Sequence, residues 1–332
     1  MYNFCTLFDS YYIHKGIALY LSLEKHCVDF HLYVMAFDWE SYDKLNSLKF
    51  EHMTVECMCD YETDFFLRLK KERNKAEYCW TCGPYVIHHF MIQNQLKSIT
   101  YLDSDLFFIG DPAIAFAEIG DNSIAITEQG ISEKNAKVFG KYCVQFMYFK
   151  NDKNGLPALE WWRDRCFEWC YQRLEDGKFG DQKYIDEFPL KFNRVHVIQN
   201  PGVGLAPWNL HRYSYCDNGN TIYHSGNTYN SVFFHMHGLK SIIDEKVLTM
   251  VSNDCFINDV DKRYFFNPYA ELTVEILNNY FSKSIESYVI RGIPEWRHAE
   301  MYVRSKLNKI KILKDIYNLL IGKTEHNHGT KL

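Results

Sequence analysis

Two kinds of apolar pattern alternate over the first sixty residues. "YNFCTLF" is apolar almost throughout, and so is "FHLYVMAF" from residue 30. Both have the length and continuity of strands buried on two faces. Between them, "HKGIALYLSLEKH" places apolar side chains at Ile17, Leu19, Tyr20, Leu21 and Leu23 and ends in basic residues. That spacing predicts a packed helix. "DWESYDKLNSL" opens on a capping residue, Asp38, with helical spacing behind it, and "MTVECM" reads as a third strand. This β-α-β-α-β order predicts a parallel sheet with helices on its faces.

Residues 74–96 continue as a helical region, with a break expected at Gly83-Pro84. "SITYL" is a fourth strand of the central, apolar kind, and "NSIAIT" and "VQFMYFK" are further strands. "LPALEWWRDRCFEWCYQRLEDG" predicts a helix with Pro157 in its first turn and Gly177 at its end. "FGDQKYIDEF" begins a short helix with Asp181 as its cap, and "NRVHVIQN" returns to strand. "CDNGN" between "YSY" and "TIYH" predicts a hairpin, and "SVFFHMHG" closes the sheet region near residue 240. From residue 250 the pattern turns helical. The expected division is a sheet-based domain over 1–250 and a helical C-terminal extension over 251–332.

Composition changes this picture little. Apolar residues make up 47 % and charged residues 24 %, an ordinary globular balance. A net charge of −5 argues against a nucleic-acid partner. Aromatic content of 17 % suits a thick core and a groove lined by flat rings. No basic start with an apolar core and small-residue cleavage site opens the chain, and no uncharged run reaches bilayer length. A cytoplasmic protein is therefore expected. The 11 cysteines are read as free thiols in a reducing compartment; Cys79-x-x-Cys82 and Cys57-x-Cys59 lack a second half for a zinc site.

The chemistry concentrates in "YLDSDLFF". Asp103 and Asp105 stand where "SITYL" runs out, and in an open parallel sheet ligands bind beyond the carboxyl ends of the strands. Strand alternation would set both carboxylates on one side. Two crowded carboxylates repel unless a cation lies between them, and oxygen ligands favour Mg²⁺ or Mn²⁺. Spacing alone carries little weight, since Asp259 and Asp261 repeat it with no strand before them. A second cluster, "FFHMHGLK", offers His235 or His237 as a further metal ligand and Lys240 as a point charge for phosphate oxygens. "FGDQ" sets Asp181 and Gln182 at a helix start facing a cleft, with a plain cap as the competing reading. "NPGVGLAPWN" marks an ordered loop with Trp208 as an aromatic wall.

These pieces, in this order over residues 3–240, resemble GT-A nucleotide-sugar glycosyltransferases, notably the retaining glycogenin-like and bacterial lipopolysaccharide and capsule enzymes. The resemblance implies a Rossmann-like, mostly parallel α/β sheet flanked by helices. It implies a metal site of Asp103, Asp105 and His235, with His237 outside it. It places Thr6, Asp9 and Tyr12 at the nucleobase, Lys240 at the donor phosphates, Ser104 among the donor-binding residues, and Asp181 and Gln182 beside the donor sugar. The implied reaction is transfer of a sugar from a nucleoside-diphosphate sugar, UDP-sugar foremost, to a glycan or lipid-linked acceptor in polysaccharide synthesis. Retention is implied; an inverting course would need a carboxylate base, for which Asp181 and Glu128 are the candidates. The chain departs from the glycogenin-like pattern at "GLKSII", which lacks a Pro-Trp, and at "EYCWTC", where Trp80 stands near an expected arginine. A sugar nucleotidyltransferase is the competing enzyme class, but "FDSYYIHKG" is no basic, Gly-rich phosphate loop. A non-catalytic glycan- or partner-binding module is the third reading. In residues 301–323, six Lys or Arg and one Asp share a helix with an apolar face. Such a helix fits peripheral membrane contact and fits docking on the protein equally.

Overall fold

The computed structural model describes residues 1–216, 219–244, 247–252 and 258–281, with backbone alone over 239–252. Two compact units divide the chain, one over 1–237 and one from 238 onward. The basic segment 301–323 lies outside the described residues.

The first unit opens with β1 (Tyr2–Phe8), α1 (Ile13–His26), β2 (Phe30–Ala36), α2 (Trp39–Leu48) and β3 (Met53–Cys57). Asp38 caps α2, its side chain accepting from the Ser41 amide at 2.8 Å. Helices α3 (Asp64–Glu72) and α4 (Lys75–Gln93) follow, then β4 (Ser98–Leu102) and the short β5 (Leu106–Phe108). Helix α4 runs unbroken through Gly83-Pro84. The proline removes one backbone donor, but both residues are buried, and a reciprocal capping box at Asn74 and Glu77 secures the start. Next come α5 (Ala113–Ile119), β6 (Ile124–Glu128), α6 (Glu133–Phe139), β7 (Tyr142–Lys150) and α7 (Gly155–Glu168). Helix α7 stops at Glu168, short of the expected Gly177, because Trp169 is extended. Gly177 instead takes the left-handed position of a turn that pairs Glu175 with Lys178.

After a 3₁₀ turn at Gln182–Glu187 come α8 (Phe188–Lys191), β8 (Val195–Ile198) and β9 (Val203–Leu205). Strands β10 (Ser214–Cys216), β11 (Thr221–His224) and β12 (Asn227–Asn230) form an antiparallel meander, the first two being the predicted hairpin. Strand β13 (Phe233–His235) ends the unit's elements.

Seven strands build the main sheet in the order β3-β2-β1-β4-β7-β6-β8. All pairings are parallel except those that β7 makes with β4 and β6. The fold is therefore a mixed, mostly parallel α/β sheet, as the resemblance implies; the apolar runs predict its parallel part and not the antiparallel β7. Core residues such as Trp162, Phe90, Phe149 and Phe188 fill the space between sheet and helices. The segment expected to close this sheet does not join it. Strand β13 forms a separate three-stranded sheet, antiparallel to β5 and parallel to β9.

The second unit holds the antiparallel hairpin β14 (Leu239–Asp244) and β15 (Val247–Ser252), then α9 (Asp259–Asp261), a π turn at Lys262–Phe266 and α10 (Asn267–Phe281). Helix is what the sequence predicts for its described end. Asp261 belongs to a capping box with Asn258, so this Asp-x-Asp is a helix start.

Candidate active site

The site lies at the carboxyl end of β4. The chain turns sharply there, the Leu106 amide donating to the Asp103 carbonyl at 3.1 Å. Asp103 and Asp105 converge through this turn and not through strand alternation, since β4 ends one residue too early. Strand β5 continues directly from Asp105 and pairs with β13, placing His235 opposite Leu106. The Met236 amide donates to the Asp105 carbonyl at 2.8 Å. His235 Nε2 consequently stands 3.1 Å from Asp105 Oδ1 and 3.6 Å from Asp103 Oδ2.

Gln145 on β7 positions both halves. Its backbone carbonyl accepts from the Asp103 amide at 3.1 Å, and its side-chain Oε1 meets His235 Nδ1 at 2.8 Å. An amide oxygen at Nδ1 requires a proton there, which leaves Nε2 facing the aspartates. The Gln145 amide nitrogen is anchored on the Thr127 hydroxyl at 3.2 Å. Gly204 makes room for it, because a Cβ there would come within 3.0 Å of that nitrogen. Tyr101 donates to Asp103 at 3.1 Å.

Asp105, His235 and His237 each offer a ligand atom within 4.8 Å of the other two. Among the described residues they are the only such His/Cys/Asp/Glu group. The resemblance implies Asp103, Asp105 and His235 with His237 outside; this group keeps Asp105 and His235, brings in His237 and does not include Asp103. Carboxylate oxygens suit Mg²⁺ or Mn²⁺ and imidazole nitrogens suit softer transition ions, so the donor set fits a divalent cation without selecting which one.

Electrostatics agree with a site built around positive charge. Burial raises the pKa of Asp105, yet Lys15 and His235 outweigh it and hold the carboxyl far below its usual range. Asp103 moves oppositely, pushed up to about 6 by burial, with Asp105 adding to the rise and His235 opposing it. Burial would lower His235, but the two aspartates, Asp105 foremost, carry it to about 10. Asp181 is pushed up to about 8 by burial and by Asp103.

The other predicted residues are placed as follows. Asp181 is buried at the start of the 3₁₀ turn and makes no capping bond through its side chain. Its carbonyl accepts from the Trp162 indole at 2.9 Å, so the core holds it in place. Gln182 is tied to backbone, donating to the Phe139 carbonyl at 3.0 Å and accepting from the Val144 amide at 3.4 Å. Thr6 is fully buried with an unpartnered hydroxyl. Asp9 braces its loop, accepting from the Tyr11 and Tyr12 amides and pairing with Lys75. Ser104 is buried between the aspartates. The Lys240 side chain lies outside the described residues.

A cleft of about 780 Å³ is lined by Glu128, Lys137, Lys141, Lys183, Trp208 and Arg212, among others. Trp208 joins it to the aspartate–histidine cluster, its ring 5.4 Å from His235 and 5.5 Å from His237. Glu128 pairs with Lys141 at 2.9 Å. Sequence reasoning missed Gln145 and Lys15, which no local motif marks; only tertiary pairing shows them.

Fold and site together define a mostly parallel α/β protein with an Asp/His centre beyond its fourth strand. The chain belongs to the same family as the Bacillus subtilis proteins YfnF and YfnD, both described as uncharacterized. It is 32 % identical to YfnF over 251 residues, covering 72 % of this chain and 82 % of YfnF. With YfnD it is 30 % identical over 251 residues, covering 74 % of this chain and 80 % of YfnD. No family model matches the chain. Solved structures that it resembles include glycosyltransferases. Galactosyltransferase LgtC, in complex with donor and acceptor sugar analogs, shares 11 % identity across 89 % of this chain and 99 % of its own, with a TM-score of 0.47. Apo GlyE of Streptococcus pneumoniae shares 16 % across 85 % of this chain and 64 % of its own, with a TM-score of 0.48. The bifunctional WbbM shares 12 % across 62 % of this chain, which spans 39 % of WbbM, with a TM-score of 0.41. Among the described residues no helix is long and apolar enough to cross a membrane.

Proposed function

We propose that this chain is a metal-dependent glycosyltransferase that moves a sugar from a nucleoside-diphosphate sugar to an acceptor hydroxyl in the cleft beside Trp208. The observation that carries the reading is the convergence of Asp103, Asp105 and His235, with His237 adjacent, beyond the carboxyl end of β4. Asp103, Asp105 and His235 would hold Mn²⁺ or Mg²⁺, and the bound ion would supply charge stabilisation to the departing diphosphate. Gln145 keeps the His235 Nε2 lone pair turned toward the ion's place. Thr6, Asp9 and Tyr12, at and beyond the end of β1, are assigned to the nucleobase, uracil being favoured. Asp181 faces the donor sugar, Gln182 positions it through the backbone, and Ser104 lies at the phosphates. Trp208 offers a flat wall for an acceptor ring, as sugar sites use. Retention is the course we favour, on the resemblance to retaining enzymes; Glu128, one of the cleft's carboxylates, is paired with Lys141. A glycan or lipid-linked acceptor suits a cleft of this size.

The test is release of nucleoside diphosphate from a panel of nucleotide sugars with Mn²⁺, comparing wild type with Asp105→Asn. Metal-dependent release that the variant loses supports the reading. Release that survives in the variant, or metal-independent release, removes it.

A further inference from the structure

The sequence assigns the phosphate-facing cation to Lys240. Among the described residues a second cation, Lys15, stands beside Asp105. Lys15 leaves the first turn of α1 with a side chain only 12 % exposed. Its ammonium lies 3.4 Å from Asp105 Oδ2 and 4.4 Å from the centre of the Tyr12 ring. A relaxed charge-assisted bond of this kind is about 2.7–2.9 Å long. Lys15 is therefore held beside Asp105 by charge and by the aromatic face, without a tight bond. An ammonium has three donors, and the contact with Asp105 engages at most one.

Asp105 divides its two oxygens. Oδ1 faces His235 and Oδ2 faces Lys15. A divalent ion that takes Asp105 as a ligand approaches oxygens already countered by these two groups. The ammonium must yield part of its hold as the ion arrives. A diphosphate brought by the ion places new anionic oxygens in the same small space.

We propose that Lys15 changes partners: it neutralises Asp105 in the empty site and turns to the donor's diphosphate when the metal takes the carboxylate. This rests on the transferase reading above. Lys15 then disfavours the ion alone and favours the ion and diphosphate together. A lysine that simply stayed on Asp105 would also disfavour the ion alone, so the loss of pyrophosphate affinity is the effect that marks the change of partner.

The experiment titrates full-length protein with Mn²⁺ alone, and then with pyrophosphate at saturating Mn²⁺, by calorimetry. Lys15→Met keeps the length of the side chain without its charge; Lys15→Arg restores the charge. Lys15→Met is expected to bind Mn²⁺ alone on the order of tenfold tighter and the pyrophosphate on the order of tenfold weaker, each shift worth about 1.4 kcal/mol. Lys15→Arg should return both values toward wild type. Unfolding temperatures of the three proteins establish that each is folded. Both shifts are required; Mn²⁺ binding that stays equal or weakens in Lys15→Met, or unchanged pyrophosphate binding, overturns the assignment and leaves the transferase reading standing. Wild-type protein that takes up no Mn²⁺ removes the transferase reading and the role of Lys15 with it.

Discussion

Replacing Gln145 by leucine tests the least visible part of the site. The side chain has no solvent exposure and makes two bonds, to His235 at 2.8 Å and to Thr127 at 3.2 Å. Leucine is of similar size but can make neither. A buried polar group left without its partner costs about 1–3 kcal/mol, and two are orphaned here. The added apolar burial returns roughly 1 kcal/mol. The net loss is about 1–5 kcal/mol, which for a domain of this size lowers Tm by roughly 2–20 °C. A second effect separates position from stability. With its Nδ1 partner gone, His235 can rotate or change tautomer, and outer partners of metal-bound histidines are worth about 10–100-fold in affinity. Differential scanning calorimetry and Mn²⁺ titration measure the two effects. Gln145→Glu, which keeps an acceptor at Nδ1, should retain more of the Mn²⁺ affinity than leucine does. A Tm within 2 °C of wild type, or Mn²⁺ affinity equal in the leucine variant and wild type, would refute the argument.

Three further outcomes are expected. Gly202→Ala should lower Tm, because a Cβ there meets the Asn230 carbonyl oxygen at 2.0 Å and the backbone cannot yield cheaply; overpacking of this kind costs about 1–3 kcal/mol. Trp162→Phe keeps a ring in the core but removes the indole bond to the Asp181 carbonyl at 2.9 Å, so donor turnover should fall more than stability, which drops by about 1–2 kcal/mol. A thiol reagent should modify Cys216 first among the described cysteines, as it is the exposed one, while Cys5, Cys82, Cys143 and Cys166 react only on unfolding because burial raises their pKa. Cys216→Ser with an undiminished fast phase would contradict that order.

Much of the fold was legible because the first strands are buried on both faces and so print continuous apolar runs. The α1 and α2 patterns, the Asp38 cap and the 216–221 hairpin turn were equally local signals. What escaped was nonlocal. Strand β5 is three residues long and looks like the tail of "SITYLDSDLFF"; nothing within it announces that its partner is β13. The proline in α4 shows the opposite error, a strong local breaker overruled by packing. In the site, Asp103, Asp105 and His235 were legible as residue types at strand ends. Gln145 and Lys15 were not, since a glutamine in a strand and a lysine in a helix are ordinary until tertiary structure aims them.

The bond between Gln145 and His235 joins positions 90 residues apart. Contacts that distant wait on closure of the intervening loop, so the small sheet with β13 is expected to assemble after the local βα units have collapsed. A chain arrested before that step would own a nearly finished platform yet lack one of its gripping imidazoles. Anything that binds the finished centre would then act as a latch on the final stage of assembly, raising the population of molecules that have completed it.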